Sequence, residues 1–472
     1  MSLRSSFING AFANSNSNKL NVHNKFTKEI IEEVSLCSDA ELELAISSSK
    51  KAFEEFKTFS AQQRYELLDK LINKVILIKE ELANLICIEA GKPISYAIVE
   101  VERSIATLEF SKEESRKFSG ETIPMDFSNG EGRDALTKKF PLGPIIAISP
   151  FNFPLNLALH KIGPALACGC SVVLKPSLFT PLVALKFSEI LNECGYPKGT
   201  LNVVVCDDQK SETLVRSDEF KLLSFTGSPA VGWMLKEKAA KKKVTLELGG
   251  NAAVIIDKDV DLKSCASSVA LGAFLYSGQI CISTQRIIVH DEVYSEFKEL
   301  LVEETLKLKV GDPLEKKTII GPLIDVSHVL RIDSWVKQAI ETGATLLCGG
   351  ETLEDRNIYT ATLLENVKRD QKVWTDEVFG PVAILEKFSN FDEAVDLVNE
   401  SSFGLQVGVF SDSVINMKKS LDHIDVAGVI MNSVPGFRID HMPYGGIKNS
   451  GLGREGIKYA IEDMTYEKLL VY

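Results

Sequence analysis

The sequence predicts an α/β protein with two parallel-sheet domains, and three observations lead there. After Pro141, short apolar runs rich in β-branched residues ("PIIAISPF", "SVVLKP", "LNVVVC", "KLLSFTG", "AAVIID") are separated by helical stretches. A second series of the same kind follows residue 250, with "QRIIVH", "ATLLCGG", "VAILEKF", "QVGVFS" and "AGVIMNS" as its strands. The chain, 472 residues of which 45% are hydrophobic, is long enough to bury two or three cores. Strands alternating with helices form parallel sheets covered on both faces, so two such domains are expected to join near "LELGGNA" at 246–252.

From the N-terminus, "MSLRSSFINGAFANSNSN" lacks the apolar core of a secretory signal. Between Cys37 and about Phe118 the pattern is helical. "DAELELAISSSKKAFEEF" and "AQQRYELLDKLINKVILIKEELANLICIEAG" both carry apolar residues at three- and four-residue spacing, and the second is expected to end at Gly91. In "TPLVALKFSEILNECG", Thr180 reads as the N-cap, Pro181 as the first turn and Gly195 as the stop. Two segments fit neither sheet: 121–141, "ETIPMDFSNGEGRDALTKKFP", and 465–472, "TYEKLLVY". An extended, alternating tail without a partner in its own series is expected to pair with an exposed edge of another subunit.

Bulk properties exclude several functions. A net charge of −12 opposes binding to nucleic acid, and the one basic run, "KEKAAKKKV" at 236–244, reads as the solvated end of a helix. The most apolar region, 141–174, is interrupted by five prolines, so no helix is expected to cross a membrane there. Nine scattered cysteines fit reduced thiols in a cytoplasmic protein. Cys168-Gly-Cys170 has no second Cys/His cluster, so no metal is expected.

Four places carry candidate chemistry. "LLSFTGSPAVG" at 222–232 is a strand that breaks at Gly227 into a helix starting with Ser228 and Pro229; free N–H groups and the positive dipole end suit a cofactor phosphate. Glu247 stands in an apolar setting before two glycines, either as a paired structural charge or as a base whose pKa burial raises. Asn152 follows a strand, either as a turn former or as an amide donor to a developing oxyanion. Cys281, in "LYSGQICISTQR", is either a buried small hydrophobe or a nucleophile. "GLGREG" at 451–456 satisfies G-x-G-x-x-G but follows a loop and has no βαβ unit after it, so it is read as a flexible loop near a site.

Seven motifs occur together and in order: "PFNFPL" at 150, "LKPS" at 174, "FTGS" at 225, "LELGG" at 246, "GQICIS" at 278, "EVFGPV" at 377 and "MPYGGIKNSGLGREG" at 442. With them the whole chain resembles the aldehyde dehydrogenase superfamily, nearest in character to its lactaldehyde and non-phosphorylating glyceraldehyde-3-phosphate members. The 34-residue interval from Glu247 to Cys281 matches the family's spacing of base and nucleophile. The resemblance implies two Rossmann-like α/β domains plus a small β oligomerisation extension. Residues 1–120 and 142–249 would bind the cofactor, 250–460 would carry catalysis, and 121–141 with 461–472 would assemble a homodimer or homotetramer.

It further implies that the Cys281 thiolate attacks an aldehyde, that Asn152 and the Cys281 N–H hold the oxyanion, and that Glu247 activates the water that hydrolyses the thioester. NAD or NADP would be bound by Phe151, Lys175, Ser177, Gly227, Ser228, Gly249, Glu377 and Phe379. Position 178 is Leu where NAD-preferring relatives often carry Glu, which admits a 2′-phosphate. Arg103, Arg438, His160 and His441 are the candidate contacts to a short, polar or anionic aldehyde. Against this, Arg103 has the alternative of pairing with Glu100 or Glu102 on a helix surface, and His160 that of a core residue. Two rival outcomes remain at this stage: transfer of the acyl group to coenzyme A, and a non-catalytic structural relative.

Overall fold

The computed structural model describes residues 4–14, 18–353 and 356–472. The first sheet has eight strands in the order Ala11–Phe12, Phe7–Ile8, Leu201–Val203, Val172–Lys175, Ile145–Ile148, Leu222–Thr226, Lys243–Glu247 and Gly451–Leu452. The five strands from Leu201–Val203 to Lys243–Glu247 are parallel. The chain lays Val172–Lys175 and then Leu201–Val203 on one side of Ile145–Ile148, and Leu222–Thr226 and then Lys243–Glu247 on the other. Strand order therefore reverses at Ile145–Ile148, and the crevice at the carboxyl ends of these strands is where an open α/β sheet accepts a ligand.

The second sheet runs Thr345–Cys348, Thr362–Glu365, Val382–Phe388, Thr284–His290, Ala252–Ile256, Gln406–Phe410 and Gly428–Met431, parallel except at its first strand. "AAVIID", read from sequence with the first series, is an inner strand of this sheet, next to the central Thr284–His290. Ala252–Ile256 is buried along its whole length between two parallel neighbours, the setting that an unbroken apolar run requires.

Other expectations need correction. The long helical run is two helices, Ala61–Leu77 and Lys79–Ala90, separated at Ile78 (φ −115°, ψ 22°); the second stops at Gly91, which takes φ 67°. The tail Thr465–Val471 pairs within its own chain, antiparallel to Ala135–Pro141 over seven residue pairs, with Thr122–Ile123 on the far side. The two leftover segments thus pair with each other along one edge, which leaves Thr465–Val471 as the outer strand. Residues 451–464 do not stay with the second sheet: Gly451–Leu452 covers the edge of Lys243–Glu247, and Ile457, Ala460 and Ile461 enter the first core. This return brings residues 444–455 against the end of the Lys243–Glu247 strand. Among the described residues no helix is long and apolar enough to cross a membrane.

Thr180 does not cap the helix Leu182–Asn192, and its hydroxyl is buried without a hydrogen-bond partner. The cap comes from Glu89, whose two oxygens accept from the backbone N–H groups of Leu182 (2.9 Å) and Val183 (3.0 Å). A carboxylate brings two acceptors and a negative charge to the positive helix end, where a hydroxyl brings one acceptor. Burial nevertheless outweighs these bonds and pushes the Glu89 carboxyl up to about 8. Between its ordinary 4.5 and 8 the folded protein holds a proton that the unfolded chain has released. Stability from this group is therefore present below 4.5 and lost as pH rises through 8. Urea midpoints measured from pH 5 to 8 should fall less steeply in Glu89→Gln than in the parent protein.

Candidate active site

Cys281 is presented by a strained turn. After the helix Leu262–Phe274, Tyr276 (φ 51°), Ser277 (φ 57°) and Gly278 (φ 68°) are all left-handed. The two non-glycine residues each cost roughly 1–2 kcal/mol, so their surroundings must hold them. Tyr276 donates its hydroxyl to Ala90 O (3.0 Å), Ser277 to Gly321 O (2.8 Å), and Gln279 Oε1 accepts from Ile324 N (2.9 Å). A Cβ at Gly278 would overlap the Gly380 carbonyl, and one at Gly250 would overlap the carbonyl of Cys281 itself. The Gly-Gln pair seen in sequence is therefore part of the device that aims the thiol.

The thiol lies in the wall of a cavity of about 380 Å³ shared with Asn152, Phe153, Arg103, Arg438 and Tyr444. Its Sγ is 3.1 Å from the Tyr444 hydroxyl. Burial pushes the thiol above its ordinary pKa, and the Tyr444 hydrogen bond works against that. Asn152 Nδ2 donates one hydrogen to Gln279 O (2.9 Å). Its second N–H and the Cys281 backbone N–H have no acceptor among the described residues, so two donors remain beside the sulfur. Seven of the other cysteines are buried; Cys168 and Cys170, 3.6 Å apart, pack against the Met464 carbonyl in the first core.

Glu247 ends its strand with both carboxyl oxygens buried and without a hydrogen-bond partner. Burial first, and then the negative charge of Glu455, push its pKa well above the ordinary range, while Arg438, Lys161 and Arg454 oppose them. Glu455 goes the other way. Burial raises it, but Lys161 (2.8 Å), His160 and Arg438 (3.2 Å) outweigh burial and bring it down to about 2. Two buried carboxyls thus move in opposite directions, because Glu455 is ion-paired to Lys161 and Arg438 while Glu247 has no hydrogen-bond partner.

The candidate substrate residues separate on inspection. Arg103 pairs with neither Glu100 nor Glu102. It makes a bidentate ion pair with Asp440 (3.1 and 2.7 Å) from the cavity wall, while Glu100 pairs with the buried Lys92 and Glu102 with Lys79. Asp440 also accepts from His160 Nε2 (2.8 Å) and Asn156 Nδ2 (3.1 Å); burial would raise its carboxyl, but His160 and Arg103 hold it far below the ordinary range. His160 is buried in this network and does not line the cavity, and burial followed by the Arg438 charge lowers its pKa. Arg438 lies over the Tyr444 ring at 3.6 Å, and its Nε is buried without a partner. His441 is exposed and packs at a 45° tilt against Phe110 (4.9 Å) outside the cavity, because Asp440 takes the inward position beside it. Tyr444, Asp440, Glu455 and Lys161 were not singled out from sequence, although a lysine inside the apolar helix "LALHKIGPAL" is a visible signal.

The crevice at the sheet reversal gathers the remaining candidates. Lys175 ends the strand Val172–Lys175 and lies 3.6 Å from the exposed Asp208; Ser177 accepts from Phe179 N (3.2 Å). Gly227 follows Leu222–Thr226, and the Ser228 side chain makes no capping bond, so the first-turn N–H groups of Pro229–Lys238 stay open to an anion. Across the crevice Glu377 accepts from Gly250 N (3.0 Å), and burial lifts it to about 7. A Cβ at Gly249 would overlap its carboxyl. Phe379, at φ 46°, packs edge-on to Phe151 (5.8 Å). Leu178 packs on the first core, so no carboxylate occupies its place. A cation, an open helix end and the Glu377 carboxylate spaced along one crevice fit the ribose hydroxyls and pyrophosphate of a dinucleotide.

The sequence matches the aldehyde dehydrogenase family over residues 12–470. A 3-sulfolactaldehyde dehydrogenase from Priestia aryabhattai is 43% identical over 467 residues, covering 98% of this chain and 97% of that protein. A lactaldehyde dehydrogenase from Methanococcus maripaludis is 40% identical over 457 residues, covering 96% and 97%. Among solved structures, the glyceraldehyde-3-phosphate dehydrogenase GapN from Methanocaldococcus jannaschii complexed with NADP superposes with a TM-score of 0.93 at 36% identity, over 97% of this chain and 100% of that one.

Proposed function

Since the chain belongs to the aldehyde dehydrogenase family and is an aldehyde-oxidising enzyme, we propose that Cys281 is its nucleophile, Asn152 its oxyanion donor and Glu247 its base, with NAD or NADP as oxidant. One observation carries this reading: a partly buried thiol, two unclaimed N–H donors and an unpaired buried carboxyl converge on the join of the two sheets. The Cys281 sulfur forms a bond to the aldehyde carbon, and the oxygen takes up the negative charge. The second Asn152 N–H and the Cys281 N–H receive that charge, each donor contributing about 3 kcal/mol. The bound nicotinamide supplies the hydride acceptor, and Lys175, Ser177, Gly227, Ser228 and Glu377, with Phe151, Gly249 and Phe379 packed around them, would hold the dinucleotide. Glu247, once ionised, takes a proton from the water that displaces sulfur from the resulting thioester, releasing the carboxylate and returning the thiol. The unpaired Glu247 also favours water over coenzyme A as acceptor. Neutral Leu178 presents no charge against a 2′-phosphate, which supports NADP as well as NAD.

For the substrate we infer a short aldehyde carrying a polar or anionic group. Two guanidinium groups, Arg103 and Arg438, line one small cavity, and Arg438 Nε lacks a partner there. The relatives named for sulfolactaldehyde and glyceraldehyde 3-phosphate act on anionic aldehydes and the one named for lactaldehyde on a neutral hydroxyaldehyde, and all three are short. Arg103→Ala, assayed with each nicotinamide cofactor, should lose about 30-fold or more in kcat/KM on glyceraldehyde 3-phosphate and under about threefold on propanal. Propanal reports any damage to the Asp440 network, so an equal loss on both substrates removes the anion site. For assembly, the outer strand Thr465–Val471, with Leu469, Leu470 and Tyr472 exposed, supports pairing with a second copy in a homodimer or homotetramer.

A further inference from the structure

The hydroxyl of Tyr444 has no part in the scheme above, yet it is the one side-chain group hydrogen-bonded to the Cys281 sulfur among the described residues, at 3.1 Å. Its place is fixed from two sides. The Tyr444 backbone bridges to Glu455 in both directions, Tyr444 N to Glu455 O (3.0 Å) and Glu455 N to Tyr444 O (2.6 Å). The ring, 4% exposed, lies under the Arg438 guanidinium at 3.6 Å. A cation over the ring face draws electron density from the phenol and strengthens its O–H as a donor.

We propose that Tyr444 is a positioning residue for the nucleophile: its hydroxyl donates to the Cys281 sulfur, holds it toward the cavity and stabilises the anion that attacks. This rests on the reading of Cys281 as nucleophile. The other charged groups that face the sulfur are Glu377 and Glu247, which disfavour an anion there, and Arg438, which favours one; Lys92, Glu100 and Arg103 stand further along the cavity wall. Burial keeps Tyr444 itself protonated well above its ordinary range, so it still has a proton to donate when the sulfur has lost its own. A thiolate cannot donate, so the direction of the bond is then fixed. Phenylalanine at this position would fill the same space and remove only the donor.

The test compares Tyr444→Phe with the parent enzyme, without cofactor or substrate. Alkylation of Cys281 by iodoacetamide is followed from pH 6 to 11 by mass analysis of the peptide that contains it. A hydrogen bond to an ionised group is worth about tenfold in this equilibrium, so the profile of Y444F should lie about one pH unit higher, and alkylation at pH 7.5 should be about tenfold slower. A mercurial, which also takes protonated thiols, should modify both proteins at the same rate. Superimposable alkylation profiles would overturn the proposal, as would a mercurial rate lowered by the same factor, which would mean altered access. Should Y444F be too unstable to purify, the same hydrogen bond is tested in the opposite direction by the kcat/KM–pH profile on propanal of the enzyme in which Tyr444 is replaced by 3-fluorotyrosine. That more acidic donor should move the profile to lower pH, and an unmoved profile overturns the proposal. Failure of the parent Cys281 to alkylate at any pH would instead remove the nucleophile reading, and this inference with it.

Discussion

Cys281→Ser should lower kcat/KM for aldehyde oxidation by about four orders of magnitude or more while leaving dinucleotide binding and the thermal midpoint within error. At this site sulfur and oxygen differ in ionisation more than in size. No base is hydrogen-bonded to position 281: its one side-chain partner among the described residues is the Tyr444 phenol, and burial holds the Glu247 carboxyl well above its ordinary range. A thiol ionises within reach of neutral pH and is nucleophilic even as a minor thiolate fraction; a serine hydroxyl without a paired base is not. The turn that presents the residue is held by Tyr276, Ser277 and Gln279 through hydrogen bonds that do not involve the sulfur, so the substitution should spare the backbone. Steady-state rates on propanal, with fluorescence titration of the dinucleotide as the binding control, check the expectation.

Glu247→Gln should separate the two halves of the reaction. Glutamine keeps the shape of the side chain and cannot take a proton, so attack and hydride loss should proceed while hydrolysis stalls. Rapid mixing should show a burst of about one reduced cofactor per active site, followed by a steady rate about 100- to 10,000-fold below that of the parent. The parent's pH profile follows from the raised carboxyl. Burial and the charge of Glu455 push the Glu247 carboxyl well above the ordinary carboxylate range, and only the ionised form is a base, so kcat should still be climbing with pH above that range. That limb should vanish in the glutamine variant. A kcat lowered in proportion with the burst itself would place Glu247 in the first half-reaction.

Much of the architecture was legible because it is local. Asp39–Phe56 has the predicted limits, and its start follows from Ser38 and Glu41, a reciprocal cap three residues apart. The strand runs were readable because buried parallel strands are continuously apolar, and the helix start at Pro229 because Ser-Pro follows a glycine. What escaped depends on partners distant in sequence. The cap on Leu182–Asn192 comes from Glu89, on another helix. Arg103 finds Asp440 rather than a neighbour on its own helix, and the tail finds Ala135–Pro141. His441 and Asp440 exchange inward and outward positions by one residue, which sequence pattern in an irregular loop does not resolve. Of the charges that set Glu247, Glu455, Arg438 and Arg454 arrive on the segment that returns from the second sheet to the first, and no spacing in the chain announces that return.

The central claim is a covalent bond between the Cys281 sulfur and the carbonyl carbon of the substrate. It is tested most directly by mixing Glu247→Gln with aldehyde and oxidised cofactor, quenching in acid within the burst, and weighing the peptide that contains residue 281. The account predicts a mass increase equal to the acyl group of that aldehyde, carried on Cys281 and cleaved by hydroxylamine. A full burst of reduced cofactor with an unmodified Cys281, or with the acyl group on another residue, would contradict it.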